Sequence, residues 1–234
     1  MIMAAGKGTR MMPLTANTPK PLIEVGGVKL LDHVLDHLRA AGVGQIVVNV
    51  HYLADQIEAH LGASAADFEV TISDERELLR DTGGGLVRAL PLIGSDPFLC
   101  VNADNWWTEK GENAFVRMAK AWDAERMDVL MLIVRTERAG NTQGQGDFEM
   151  DGQGRLSRRK PGTTAPYVWT GIQMLSKRLI CDPPSDVFST NIFWDRAIAE
   201  GRNFGLVHKG DWFDVGYPEA IAMTERALAK ADAA

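Results

Sequence analysis

The chain opens with Met1-Ile2-Met3-Ala4-Ala5-Gly6-Lys7-Gly8-Thr9-Arg10-Met11-Met12-Pro13-Leu14-Thr15 and continues, after two residues, with Thr18-Pro19-Lys20-Pro21-Leu22. A short apolar segment ends in two alanines and gives way to a loop with two glycines and three cations, Lys7, Arg10 and Lys20. Small residues let backbone N–H groups approach a ligand closely, and fixed cations beside them suit a polyphosphate. Two familiar phosphate loops are excluded. The dinucleotide fingerprint G-x-G-x-x-G needs glycine where Met11 stands, and no G-x-x-x-x-G-K-[ST] string occurs anywhere in the chain.

Outward from this loop, strands and helices alternate. Leu30 to Ala41 has apolar residues at 30, 31, 34, 35 and 38, a helical spacing, and Gly42 closes it as a C-cap. Gln45 to Val50 reads as a buried strand, Leu53 to Leu61 as a helix, and Phe68 to Ser73 as a strand. A glycine-rich turn leads into a helix over Gly84 to Leu90, then a short apolar strand over Phe98 to Asn102. Ala114 to Trp122 is read as a helix and Val129 to Val134 as a strand. Such repeated units imply an α/β fold of Rossmann-like type, a mostly parallel sheet with helices on both faces. Beyond residue 135 the pattern changes to short strands separated by Gly and Pro: Gly146 to Met150, Leu156 to Arg159 and Val168 to Leu175. These are expected to form a small antiparallel extension covering one side of the site. Ser189 to Glu200 and Tyr217 to Ala231 close the chain as helices.

Bulk properties narrow the classes of function. A length of 234 residues suits one α/β domain with a sizeable core. The net charge of −6 argues against a nucleic-acid partner, because a phosphate-backbone binder carries a basic face. The two cysteines, Cys100 and Cys181, have no metal-ligand spacing, and Cys100 lies in an apolar run suited to a reducing cytosol. No signal peptide or long apolar run points to a membrane. The expectation is a cytoplasmic monomer or small homo-oligomer.

The complete opening string resembles the signature of the sugar-nucleotidyltransferases, G-x-G-T-R-[ML]-x-P-L-T followed by P-K-P-[LM]. Every fixed position from Gly6 to Leu22 is present. The resemblance continues through Thr82-Gly83-Gly84-Gly85, Val101-Asn102-Ala103-Asp104, Thr170-Gly171-Ile172 and Asp211-Trp212-Phe213-Asp214-Val215-Gly216. Among family members the chain is most similar to the bacterial N-acetylmuramate 1-phosphate uridylyltransferases, with mannose-1-phosphate guanylyltransferases next.

The resemblance implies a GT-A-like single domain over residues 1–234. Its nucleotide-binding half covers about 1–110 and its sugar-binding half about 111–234. It implies attack by a sugar 1-phosphate on the α-phosphorus of a nucleoside triphosphate, giving a nucleotide sugar for cell-wall recycling. Both partners are anions, so the remedy is positioning, cations and a metal clamp. Arg10 is expected on the β- and γ-phosphates and Lys20 on the α-phosphate and the sugar phosphate. Asp104 and Asp214 are expected to be catalytic as the Mg²⁺ pair, with Asp211 the weaker partner. Magnesium suits few carboxylates plus phosphate oxygens and water. Where the family has Gly-Asp, this chain has Ala103-Asp104.

Ala4, Ala5, Gly6, Gly8, Thr9 and Asn102 are expected around the nucleotide. Thr82 and Gly83 belong to an expected base shelf, in which glycine frees backbone donors; the other reading of this stretch is a helix-capping turn. On the sugar side the resemblance points to Asp147, Lys160, Thr170 and Gly171. Arg158 and Arg159 replace the family's acidic residues, and read either as binders of a sugar carboxylate or as a solvated surface pair. Guanylyl transfer to mannose 1-phosphate, uridylyl or thymidylyl transfer to glucose 1-phosphate, and a non-catalytic paralogue stay open as alternatives. The last is disfavoured by the presence of Arg10, Lys20, Asp104 and Asp214 together.

Overall fold

The computed structural model describes residues 1–142 and 144–232. Gln143 and the last two residues, part of the expected sugar-binding half, lie outside the described residues. In chain order the elements are β1 (Ile2–Met3), β2 (Glu24–Val25), β3 (Val28–Lys29), α1 (Leu30–Ala40), β4 (Gln45–Val50), α2 (Ala54–Ser64) and β5 (Glu69–Asp74). Then come α3 (Asp81–Ala89), β6 (Phe98–Asn102), β7 (Asn105–Trp107), α4 (Ala114–Ala121), β8 (Val129–Arg135), β9 (Ala139–Gly140), β10 (Phe148–Met150) and β11 (Leu156–Arg158). β12 (Tyr167–Leu175), α5 (Asn191–Ala199), β13 (Asn203–Val207), β14 (Trp212–Asp214) and α6 (Pro218–Asp232) complete the chain.

The register around β1 decides where a ligand can sit. Ile2 pairs with Val48 on one side and Val101 on the other, and Met3 pairs with Asn49 and Asn102, all in parallel. β5 extends this parallel set beyond β4. The strand path runs β6-β1-β4-β5, so the chain order reverses at β1. A crevice at the carboxyl ends of strands at such a switch point is the usual ligand site of an open α/β sheet. Here that end carries the glycine loop, Asn49 and Asn102.

The antiparallel part reaches further into the sheet than a covering flap. β12 pairs antiparallel with β6 on one side and β8 on the other, while β10 and β11 lie at the sheet edge and β13 pairs parallel with β8. The segment Val168 to Leu175, expected in a small antiparallel extension covering one side of the site, belongs to β12, and every residue from Thr170 to Leu175 is buried. Its pairing with β8 shifts between Trp169 and Gln173, where Gly171 takes φ +79°. A bulge of this kind needs glycine and turns the strand locally.

Two apolar cores cover the faces of the sheet. One gathers Leu31, Leu35, Ile57 and Met118 from the helices α1, α2 and α4 against Val48 and Val101. The other gathers Leu86 from α3 and Phe193 and Ala197 from α5 against Met131 and Ile133. A third, smaller cluster joins Met11, Val25, Leu30, Trp106, Phe213 and Val215. It lies under the loop and the aspartate-bearing strands, and fixes them to each other.

Candidate active site

Three short strands that the sequence reading did not include assemble the charged centre. β14 pairs antiparallel with β7 and parallel with β9, placing Asp214 opposite Asn105 and Phe213 opposite Trp106. Asp104 directly precedes β7, so the two expected metal-binding aspartates come to neighbouring positions although they lie far apart in the sequence. The signal was present in the sequence: Trp106-Trp107 follows Asp104 and Trp212-Phe213 precedes Asp214. Apolar pairs of two or three residues are too short to register as strands by periodicity.

Lys20 is 7% exposed and donates to Asp104 Oδ2 at 2.7 Å. Burying an ammonium is costly unless it is paired, and Asp104 supplies the pairing. Burial holds the Asp214 carboxyl above its ordinary range; Lys20 and Arg10 pull it down, and Asp104 pushes it up. Arg10, Lys20 and Asp104 are therefore all within electrostatic reach of Asp214. Asp211 is elsewhere engaged, paired with Arg138 at 3.2 Å.

The loop is held from below. Gly8 takes φ +62°, and a Cβ there would lie 3.0 Å from Lys20 Cβ and 3.0 Å from Thr15 Cγ2. Thr15 Oγ1 also donates to the Gly8 carbonyl at 2.9 Å. Gly8 is thus required both for its left-handed backbone and for the approach of Lys20. At the loop's start, the Ala4 N–H donates to Asn49 Oδ1 at 2.7 Å, and Asn49 Nδ2 donates to Glu75 Oε1 at 2.8 Å. Glu75 is 2% exposed and its other oxygen accepts from the Arg80 N–H.

These groups bound a cleft of about 440 Å³. Ala4, Ala5, Gly6, Gly8, Thr9, Arg10, Lys20, Thr82, Asn102 and Asp104 line it, as the sequence reading expected. Asp214 stands just behind, in contact with the cleft-lining Gly216: a Cβ on that glycine would lie 2.8 Å from Asp214 Oδ1. The sequence reading missed Asn49, Glu75, Leu79, Asp81 and Val187 in the walls. Asn49 was detectable as the one polar side chain inside the apolar run Ile46 to Val50, and Glu75 as an acid just past the end of β5.

The expected base shelf is corrected. Gly83 does not line the cleft, and the Gly83-Gly84-Gly85 run lies inside α3, in place of a turn before it. The Gly83 and Gly84 N–H groups both donate to the Phe188 carbonyl, at 2.8 and 3.2 Å, so neither is free for a base. A Cβ on Gly83 would meet the Phe188 ring at 2.5 Å, one on Gly84 the Asp186 carbonyl at 2.2 Å, and one on Gly85 Glu75 Oε1 at 2.9 Å. The glycines exist for packing.

The sugar-side expectations fare unevenly. Thr170 is fully buried and its hydroxyl donates to the Leu132 carbonyl at 2.8 Å, so its side chain serves the sheet and not a ligand. Gly171 faces the centre: a Cβ there would lie 2.1 Å from Asn105 Nδ2 and 2.9 Å from Asn102 Nδ2. Asp147 accepts the Trp169 N–H at 2.9 Å, and Lys160 sits exposed on a loop; neither lines the cleft. Arg158 pairs with Asp195 and lies over the rings of Phe148 and Trp194. Arg159 donates to the carbonyls of Gly146 and Thr163. Both arginines brace the β10–β11 region.

A glycine loop, two aspartates and a buried lysine at a parallel-sheet switch point are suited to phosphoryl or nucleotidyl chemistry. The chain belongs to the nucleotidyl transferase family, whose model matches residues 1–231. It is 42% identical to the N-acetylmuramate alpha-1-phosphate uridylyltransferase of Caulobacter vibrioides, over 99% of this chain and 97% of that one. It is 25% identical to the mannose-1-phosphate guanylyltransferase of Mycobacterium tuberculosis, over 94% of this chain and 61% of that protein. In fold it superimposes on HddC from Yersinia pseudotuberculosis complexed with GMP-PN, with a TM-score of 0.76, 23% identity and 97% of each chain covered. Among the described residues, no helix is long and apolar enough to cross a membrane.

Proposed function

We propose that this protein transfers the uridylyl group of UTP to N-acetylmuramate α-1-phosphate, giving a nucleotide sugar and pyrophosphate. A phosphate oxygen of the sugar phosphate attacks the α-phosphorus in line, and the bond from that phosphorus to the bridging oxygen of the leaving pyrophosphate breaks. The nucleophile is already an anion, so no general base is required, and none of the groups lining the cleft is a histidine. What the protein must supply is alignment and relief of charge repulsion.

The observation that carries this reading is the coupling of Arg10, Lys20, Asp104 and Asp214 at the mouth of the glycine loop. Arg10 lies in the loop where the β- and γ-phosphates and the departing pyrophosphate gather. Lys20 is fixed by Asp104 beside the α-phosphate and the incoming sugar phosphate. The donor set, two hard carboxylates with the rest open to phosphate oxygens and water, fits Mg²⁺. Asp104 and Asp214 would hold the ion, which supplies neutralisation of the phosphate charge when bound. The choice of uracil and of N-acetylmuramate is supported by the 42% identity over nearly the full length of both chains.

The test is a pyrophosphate-release screen of UTP, dTTP, GTP, ATP and CTP against N-acetylmuramate, glucose and mannose 1-phosphates. The expected outcome is highest turnover with UTP and N-acetylmuramate 1-phosphate. A preference for GTP with mannose 1-phosphate would reject the assignment of base and sugar while leaving the reaction class intact.

A further inference from the structure

One part of the cleft wall comes from neither the glycine loop nor the parallel strand ends. Residues 185–190 cross from the sugar-side half and are tied to the first turn of α3. The Phe188 carbonyl accepts from the Gly83 and Gly84 N–H groups, the Phe188 N–H donates to the Arg80 carbonyl, and the Thr190 N–H donates to Thr82 Oγ1 at 2.9 Å. Phe188 is buried against α3, whereas Val187, its neighbour, is 47% exposed and lines the cleft. Its exposed side chain is turned into the cleft, where a bound ligand would cover it.

The segment bearing Val187 is tied through Phe188 to Arg80, whose N–H donates to Glu75, and Leu79 and Glu75 line the cleft with Val187. Apolar side chains in the wall of a cleft, such as Val187 and Leu79, suit the face of a flat heteroaromatic ring. We propose that Val187 is a nucleobase contact, and that the glycines of α3 serve to bring it there. The contact is to the ring of a nucleoside triphosphate, not to its phosphates or to the sugar phosphate. This inference rests on the nucleotide end of the reading above.

The experiment is calorimetric titration of wild type and Val187→Ser with UTP and, separately, with inorganic tripolyphosphate, which has the charge but no base. Val187→Ser is expected to weaken UTP about tenfold, the effect of losing one good apolar contact, and to leave tripolyphosphate within about twofold. Unchanged UTP affinity overturns the proposal, and so does equal weakening of both ligands. Because Val187 is exposed, the variant is expected to keep the wild-type Tm. Gly84→Ala, which drives a Cβ into the Asp186 carbonyl, is expected to give the same selective loss. Titration needs no turnover, so a wild type that binds UTP but releases no pyrophosphate would reject the proposed reaction and leave this test standing.

Discussion

The two ends of the site are built by different means. At the nucleotide end each polar group answers to the backbone: Asn49 holds the Ala4 N–H, Glu75 holds Asn49, and Gly8 gives way to Lys20. At the sugar end, the side chains expected to meet ligand are engaged with the protein, as Thr170 with Leu132 and Arg159 with Gly146, or stand exposed, as Lys160 does. Rigid backbone placement fixes what can be bound as a phosphate.

The contrast can be broken most sharply at Asp104. Asp104→Asn is expected to lower kcat by about 10³-fold, since it weakens the metal pair and leaves Lys20 buried without its counter-ion. Pyrophosphate release at saturating Mg²⁺ measures it, and a near wild-type rate would remove Asp104 from the centre. Gly8→Ala comes next, at about 10²-fold in kcat/KM, because the new Cβ meets Lys20 and Thr15 in a left-handed backbone. By comparison Arg159→Ala is expected to change kcat/KM by less than about threefold, while lowering Tm by about 2–4 °C for the roughly 1 kcal/mol of lost bracing. A larger kinetic loss there would show that the sugar end is as preorganised as the nucleotide end.

Two predictions concern pH and charge. His33 stacks on Trp106 at 4.0 Å and its Nε2 accepts the Trp107 N–H at 3.2 Å. Burial, reinforced by His37, pushes its pKa down to about 3. Between that value and the ordinary 6.5, only the unfolded chain takes up the proton, so stability falls as pH drops through this window. The expected loss between pH 7 and pH 4.5 is about 2–3 kcal/mol from this group, read from urea midpoints, and His33→Leu should flatten it. The smallest effect is at Asp214. Its carboxyl is held above the ordinary range, so folding disfavours the charged form, and the penalty is present at neutral pH and fades as pH falls through the raised value. Asp214→Asn is expected to raise Tm by about 1–3 °C at pH 7.5 and to lose the Mg²⁺-dependent rise in Tm expected of the wild type.

Much of the nucleotide end was legible in the sequence because local rules and global fold agree there. The glycine loop, the apolar strand ending at Asn102 and the α1 periodicity each point to the same crevice. The turn expected before the helix at Gly84 was misread because three successive glycines signal a turn by propensity, whereas here they sit inside a helix and leave room for Phe188, Asp186 and Glu75. Thr170 was misplaced for a similar reason. Its neighbour Gly171 lies against Asn102 and Asn105, but the pleat of β12 directs the Thr170 hydroxyl to Leu132. The strands β7, β9 and β14 have two or three residues each, below the length at which any alternation can be read.

That three-stranded sheet also sets a timetable. During synthesis the glycine loop leaves the ribosome well before the strand bearing Asp214. Contacts of such high sequence separation form late and slowly. The growing chain therefore carries a phosphate cradle long before it carries the second aspartate. Until β14 docks beside β7, the nascent protein has the means to hold an anion and lacks half of what is needed to act on it.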